Sequence, residues 1–444
     1  MGRLFGTDGV RGVAGIDLTA ELARGLGRAA VVVLGRHGRA RPMFVVGRDT
    51  RESGEWLEDA LVEGIREAGG DAVMAGVLPT PAVAFLATVM DASSGVVISA
   101  SHNPASDNGI KFFAGDGLKL SDDLEDEIEA QLDAPPVQPP AERGRTLPLG
   151  DGRERYLHHL VEAADAPLTG MTVVVDCANG SASGTSPEVL RRLGATVHVI
   201  FASPDGRNIN EGCGALHPEV VGAEVVRLGA DAGVAHDGDA DRALFADAAG
   251  DVIDGDQVLA ACAVAMRDQG RLPHHTVVTT VMANLGFHRA MSAAGIQVVT
   301  TRVGDRYVAE EMRRTGATLG GEQSGHVIFA EQATTGDGLL TAVRFLSLAA
   351  RGGVGLRELA GAMRRFPQVI VNVPVTRKDL EPAAGVRGAV ADAERALGET
   401  GRVVVRASGT EPLVRVMVEA EDEAMARRQA NAIARVVHAE LASG

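Results

Sequence analysis

The chain has 444 residues, 45% hydrophobic and 23% charged, a globular balance in a chain too long for one ordinary core, so several domains are expected. A net charge of −16 and an aromatic content of 3% argue against nucleic-acid and membrane partners, which are held by positive surface and stacked rings, but not against a small anion in a locally positive pocket. No apolar run approaches the roughly 18 residues that span a bilayer, the first residues lack a signal-peptide core, and Cys177, Cys213 and Cys262 suit neither a disulfide framework nor a metal site, so a reducing cytoplasm is expected.

Apolar, β-rich runs alternate with segments of helical period. Residues 43–48 read as a strand and 55–68 as a helix. A buried strand follows at 95–100, and a helix ends near Leu132. The prolines 135, 136, 139 and 140 mark a linker or long loop. Further strands are expected at 173–176, 231–236, 276–282 and 296–301, with helices near 187–193 and 218–228. This alternation predicts α/β domains with parallel or mixed sheets. The end differs: strands at 369–375, 402–406 and 414–419 surround one helical segment, and an amphipathic helix at 424–441 closes a small α+β domain.

Five stretches carry chemistry. In Ile98-Ser99-Ala100-Ser101-His102-Asn103-Pro104 a buried strand runs out at the sheet edge where α/β folds bind ligands, presenting Ser101 as a hydroxyl nucleophile and His102 as its neighbour. The same stretch also fits an ordinary Ser-His turn. In His236-Asp237-Gly238-Asp239-Ala240-Asp241-Arg242 three carboxylates at alternate positions point one way if the chain is extended. Such convergence calls for a cation, and hard oxygen ligands suit magnesium. An EF-hand needs Gly and Glu where Arg242 and Ala248 stand. Gly320-Gly321-Glu322-Gln323-Ser324-Gly325-His326 offers a carboxylate and a hydroxyl for sugar hydroxyls. Arg406-Ala407-Ser408-Gly409-Thr410-Glu411-Pro412, with Arg415 beyond, could cradle a phosphate. Gly6-Thr7-Asp8-Gly9-Val10-Arg11-Gly12 is a glycine loop presenting Arg11, without the ending of a Walker loop. No Gly-x-Ser-x-Gly elbow surrounds Ser101 and no zinc motif exists, so a serine beside a carboxylate-held metal and a phosphate cradle points to phosphoryl transfer.

In order and spacing these stretches resemble the α-D-phosphohexomutase superfamily over nearly the whole chain. Within it the sequence is most similar to the bacterial phosphoglucosamine mutases, through residues 5–12, 107–113, Asn208-Ile209-Asn210, 303–308 and Gln323. Phosphomannomutase/phosphoglucomutase specificity is the alternative. Ala240 stands where the phosphoglucosamine mutase branch usually has glycine, and the region 181–187 diverges. The resemblance implies four domains around a central cleft: three mixed α/β units at 1–150, 151–253 and 254–366, and a smaller α+β unit at 367–444. It implies interconversion of glucosamine 6-phosphate and glucosamine 1-phosphate through a phosphoserine at Ser101 and a glucosamine 1,6-bisphosphate intermediate, feeding cell-envelope amino sugars.

On that resemblance one Mg2+ is held by Ser101, Asp237, Asp239 and Asp241, with Arg242 ordering the loop or meeting the phosphoryl group. Glu322, Ser324 and His326 hold the sugar, and Arg406, Ser408, Gly409, Thr410 and Arg415 its phosphate. Lys111, His102, Arg11 and His326 are candidates for proton transfer or charge stabilisation, Lys111 first. As a base near neutral pH, Lys111 would need a depressed pKa. The phosphosugar is the expected partner, with a kinase or bisphosphate donor to prime Ser101. Water-driven dephosphorylation and a catalytically silent binding protein are the competing readings.

Overall fold

A computed structural model describes residues 3–6, 8–35, 41–132, 134, 142–408 and 412–442. Prolines 135, 136, 139 and 140 and residues 409–411 lie outside these. The strands fall into four sheets, taken up in chain order. The first comprises β1 (Val10–Val13), β2 (Met43–Arg48), β3 (Asp71–Val77), β4 (Ser94–Ile98), β5 (Asp107–Ala114) and β6 (Thr146–Pro148), in spatial order β1-β5-β4-β2-β3-β6. The second comprises β7 (Thr172–Asp176), β8 (Thr196–Ile200), β9 (Ala232–His236), β10 (Ala243–Asp247) and β11 (Val252–Ile253), in order β11-β10-β9-β7-β8. The third, β12 (Thr276–Thr280), β13 (Gln297–Thr301), β14 (Leu319–Gly321) and β15 (Val327–Phe329), runs β13-β12-β14-β15. The last is antiparallel, with β18 (Leu413–Ala420) between β16 (Gln368–Pro374) and β17 (Gly401–Ala407).

The first three sheets repeat one device. In each, a parallel strand buried on both faces (β4, β9 or β14) ends in a hairpin to an antiparallel neighbour. The turns are β4 to β5, β9 to β10 and β14 to β15, paired at Ile98↔Ile110, His236↔Ala243 and Gly321↔Val327. The fourth sheet contributes the β17–β18 hairpin, closed at Ala407↔Val414. Each hairpin carries one of the five chemistry-bearing stretches, those that contain Ser101, Asp237, Glu322 and Ser408. The long-period relation among the α/β units, too divergent to read in the sequence, is visible in this shared topology.

One apolar core runs from Val45 and Phe113 through Phe245 to Phe329 and Phe345, joining the first three units. A second fills the other face of the first sheet, beneath helices Ala20–Leu34 and Ser53–Glu67. These helices cross so closely that a Cβ on Gly64 would collide with the Arg24 carbonyl, and one on Gly27 with the Leu61 carbonyl. The last unit has its own core, Val414, Val416 and Val418 against Ile433 and Val437. It meets the third unit through buried Glu419, which accepts from the Leu285 amide at 2.8 Å and from Arg402 Nε at 3.1 Å. No helix among the described residues is long and apolar enough to cross a membrane.

Candidate active site

The turn after β4 is built to hold one serine. Ser101 has φ 52°, a left-handed conformation costing a non-glycine residue about 1–3 kcal/mol, so its surroundings must impose it. Ser99 Oγ accepts the Ser101 amide at 3.0 Å and donates to Asp49 Oδ2 at 2.5 Å. Arg51, fully buried, pairs with Asp49 at 2.9 Å. Its guanidinium also donates to the carbonyls of Ser101 (2.9 Å), Asn103 (2.9 Å) and Pro104 (2.5 Å). From the second unit, Asn210 Nδ2 donates to Ser101 O at 2.9 Å and to Asn103 O at 3.1 Å. Burial raises Asp49 above the ordinary carboxylate pKa, against the pull of Arg51.

With its carbonyl so held, Ser101 presents its hydroxyl to the β9–β10 turn, where Oγ donates to Asp237 Oδ2 at 2.6 Å. Asp237, Asp239 and Asp241 are buried and offer carboxylate oxygens within 4.8 Å of one another. The backbone between them is not the extended ribbon expected from spacing, since Ala240 has φ 58°. Glycine would take that conformation without strain, yet alanine adopts it here. Burial, with repulsion from Asp241 and Asp239, pushes Asp237 well above the ordinary range. Oδ1 of Asp239 and Oδ1 of Asp241 are buried with no hydrogen-bond partner. Orphaned oxygens among converging like charges are relieved by an oxygen-ligated divalent cation, so these residues fit magnesium.

Around the trio lies a charge network drawn from three units. Lys111, on β5, reaches Asp239 at 3.0 Å and Asp8 at 2.8 Å. Arg11 pairs with Asp8 as well. Lys119 bridges Asp8 and Asp305, at 2.5 Å each. Burial lowers the Lys111 pKa, but Asp239 and Asp8 outweigh it and the net shift is upward. The ammonium is thus held protonated, contrary to the depressed pKa a lysine base needs. His102 is the opposite case: burial, with Arg242 and Arg11 nearby, lowers it to about 4. Its Nδ1 stands 3.4 Å from Ser101 Oγ, so a neutral imidazole faces the hydroxyl.

The β14–β15 turn brings the third stretch in. Glu322 Oε1 accepts the Gly304 amide at 3.1 Å, and Gly304 sits at φ 133°, open only to glycine. Ser324 Oγ is buried and unpartnered. His326 Nδ1 lies 3.4 Å from Asp241, while the Gly336 amide donates to Nε2 at 3.0 Å. Against burial, Asp241 and Asp305 raise this histidine to about 8. The Gly336 donation requires a lone pair on Nε2, so in this geometry the ring is neutral with its proton on Nδ1, toward Asp241.

The fourth stretch stands on the last sheet. Arg406 and Arg415 are register partners on β17 and β18. Burial and the neighbouring Arg415 lower the Arg406 pKa, against the pull of Glu322. Arg406 and Arg415 line a cavity of about 340 Å³ together with Met282, Ile370 and Met417. Ser408 is buried and its carbonyl accepts Lys378 Nζ at 3.0 Å. Gly409 and Thr410 lie outside the described residues.

Ser101, His102, Lys111, the aspartates, Arg242 and His326 are therefore gathered in one cluster. Arg11 joins it through Asp8, while Arg406, Ser408 and Arg415 stand on the β17–β18 side of the last unit. Sequence reasoning missed Asp8, Lys119, Asp305, Asp49 and Arg51. Asp49 and Arg51 do follow a buried parallel strand, β2, the position that drew attention to Ser101.

Comparison with known proteins agrees with this arrangement. The phosphoglucomutase/phosphomannomutase alpha/beta/alpha domains I, II and III match residues 2–136, 154–250 and 254–366, and the C-terminal domain of that family matches 370–436. A Frankia alni protein named phosphoglucosamine mutase is 55% identical, over 99% of both chains. A Burkholderia thailandensis phosphoglucomutase/phosphomannomutase family protein superposes with TM-score 0.84 at 27% identity, over 99% of each chain. An Aspergillus fumigatus N-acetylphosphoglucosamine mutase, solved with GlcNAc-6P and magnesium, shares the fold at TM-score 0.72 and 18% identity, covering 98% of this chain and 96% of that one.

Proposed function

The chain belongs to the phosphoglucomutase/phosphomannomutase family, and from that premise we infer a phosphoglucosamine mutase that interconverts glucosamine 6-phosphate and glucosamine 1-phosphate. The observation that carries the mechanism is the 2.6 Å hydrogen bond from Ser101 Oγ to Asp237, within a buried aspartate trio two of whose oxygens lack partners. Ser101 is the phosphoryl carrier. Asp237, Asp239, Asp241 and a phosphoryl oxygen on Ser101 would hold one Mg2+, which supplies charge neutralisation for the transferring group.

The residues divide the work by charge. Arg406 and Arg415, with Ser408, Gly409 and Thr410, hold the phosphate already on the sugar. Glu322 and Ser324 hold ring hydroxyls, Glu322 through the oxygen that Gly304 leaves free. The attacking sugar hydroxyl forms a new P–O bond as the Ser101 P–O bond breaks, giving glucosamine 1,6-bisphosphate. The sugar proton passes to the neutral imidazole of His102, since both ring nitrogens of His326 are engaged, and Lys111, held protonated, is the acid toward Ser101 Oγ. After the bisphosphate turns over, its other phosphoryl group returns to Ser101.

A kinase or a bisphosphate donor must prime Ser101. The domain limits 150/151, 253/254 and 366/367 remain our division of the chain. Three buried free cysteines support a reducing cytoplasm. The test is peptide mass spectrometry of the native protein with side-by-side kcat/KM on glucosamine and neutral hexose phosphates. Phosphate on the Ser101 peptide, a preference for the amino sugar, and a folded but inactive Ser101→Ala are expected. Turnover in Ser101→Ala refutes the mechanism, and preference for neutral hexoses moves the specificity to phosphomannomutase/phosphoglucomutase.

A further inference from the structure

The peptide carbonyls along the aspartate turn are anchored one after another, those of Asp237 and Asp239 by the amides of Ala240 at 3.0 Å and Thr80 at 2.9 Å. The Ser181 amide donates to Gly238 O at 2.8 Å, and the Gly338 amide to Ala240 O at 3.0 Å. With these carbonyls and that of Arg242 held, the turn keeps one path, along which Asp237, Asp239 and Asp241 present their carboxylates together. The amide anchors are backbone groups, which no substitution removes while the chain keeps its path. The anchor on Arg242 is a side chain: His236 Nδ1 lies 3.0 Å from Arg242 O.

His236 ends β9 and is fully buried. A carbonyl can only accept, so Nδ1 carries the proton and Nε2 must itself accept. Its partner is in place, for Ser186 Oγ lies 2.8 Å from Nε2 and is also fully buried. The chain Ser186 hydroxyl to His236 ring to Arg242 carbonyl thus has one direction and one tautomer. An apolar side chain could fill the same space, but it would leave the Arg242 carbonyl without this donor. Ser186 falls within 181–187, the stretch where the sequence departs from the family it resembles, and His236 stands directly before Asp237.

We propose that His236 and Ser186 are positioning residues for the metal-binding turn: they clamp Arg242 O, close the six-residue loop, and so set the Arg242 guanidinium 3.8 Å from Asp241 and 4.0 Å from Asp237. The inference rests on the reading of the three aspartates as metal ligands. Neither residue touches substrate or the reacting atoms, so its effect falls on ligand geometry.

Mn2+ titration followed by electron paramagnetic resonance tests it, on wild type, His236→Phe, His236→Asn and Ser186→Ala, with thermal melts alongside. His236→Phe keeps the ring shape and loses both hydrogen bonds, so Mn2+ affinity should fall about tenfold, in the range for losing an outer-shell partner. His236→Asn places an amide nitrogen where Nδ1 stands and should stay within about threefold of wild type. Ser186→Ala should fall between them, and it carries the test if His236→Phe does not fold. Wild-type affinity in both His236→Phe and Ser186→Ala overturns the positioning role, as does an equal loss in His236→Asn and His236→Phe. Failure of the wild type to bind Mn2+, or unchanged binding in Asp239→Asn, overturns the metal reading itself and is separable from the variant results.

Discussion

Replacing Arg51 with methionine removes one half of a buried ion pair and leaves the other. Asp49 and Arg51 are both 0% exposed, and breaking such a pair typically costs about 3–5 kcal/mol. The carbonyls that Arg51 serves add little, because each keeps a partner: Asn210 on Ser101 O and Asn103 O, the Asp107 amide on Pro104 O. Asp49 also retains Ser99 Oγ and the Arg51 amide. The decisive limit is that Asp49 can protonate. From an unfolded pKa near 3.9, taking up a proton at pH 7 costs about 4 kcal/mol, and at pH 5 about 1.5. The deficit of Arg51→Met should therefore be about 4 kcal/mol at pH 7 and shrink to about 1.5–2 at pH 5. The sign follows from burial raising Asp49 in the folded state. A raised carboxyl contributes stability below its unfolded pKa and loses it as pH climbs through the folded value, and removing the guanidinium raises that value further. Trp56, the one tryptophan, lies in the helix that follows Arg51, so urea unfolding read by its fluorescence reports on this unit. The double variant Asp49→Asn/Arg51→Met should return to within about 2 kcal/mol of wild type, with little pH dependence. A deficit that stays flat from pH 5 to 7, or a double variant that adds a second loss, would refute the reasoning.

Lys111→Met leaves Asp239 and Asp8 facing each other without their shared cation, so kcat should fall about 100-fold or more while mass spectrometry still finds phosphate on Ser101. A fall in KM alone would argue against the acid role. Glu125, between Arg3 at 3.2 Å and Arg306 at 3.4 Å, is raised by burial to about 7 against the pull of both arginines. Its contribution is present below about pH 4.3 and lost as pH rises through 7, so the stability of Glu125→Gln relative to wild type should improve by about 2 kcal/mol between pH 5.5 and 8.5. Melting curves at both pH values check this, and a constant difference would count against it. Arg406→Gln removes one of the two register-paired guanidiniums proposed to hold the sugar's phosphate, and KM for the sugar phosphate should rise about tenfold or more with a smaller change in kcat. An unchanged KM would take Arg406 out of the phosphate cradle.

Legibility tracked how local the physics was. Ser101, the aspartates, Glu322 and Arg406 could be picked out because each stands in a short stretch whose residue types already suggest a chemistry. The element types were legible for the same reason, with periodicity placing β9 and β18 within a residue or so of their observed ends. What stayed hidden was pairing at long range. Asp8 gains meaning only beside Lys111 and Lys119, over 100 residues away, and Asp305 only beside Lys119. The direction of the Lys111 shift was hidden in the same way, since burial alone favours a depressed pKa and only the folded chain supplies the two carboxylates that reverse it. The aspartate spacing gave the right trio for an incomplete reason. An extended ribbon would align alternate side chains, but Ala240 breaks the ribbon at φ 58°. The turn that brings the carboxylates together has its carbonyls held by separate stretches of chain, Gly238 O by Ser181, Asp239 O by Thr80, Ala240 O by Gly338 and Arg242 O by His236. Spacing thus identified which residues could act together, and the folded surroundings of Ser101 and Asp237 decided that they do.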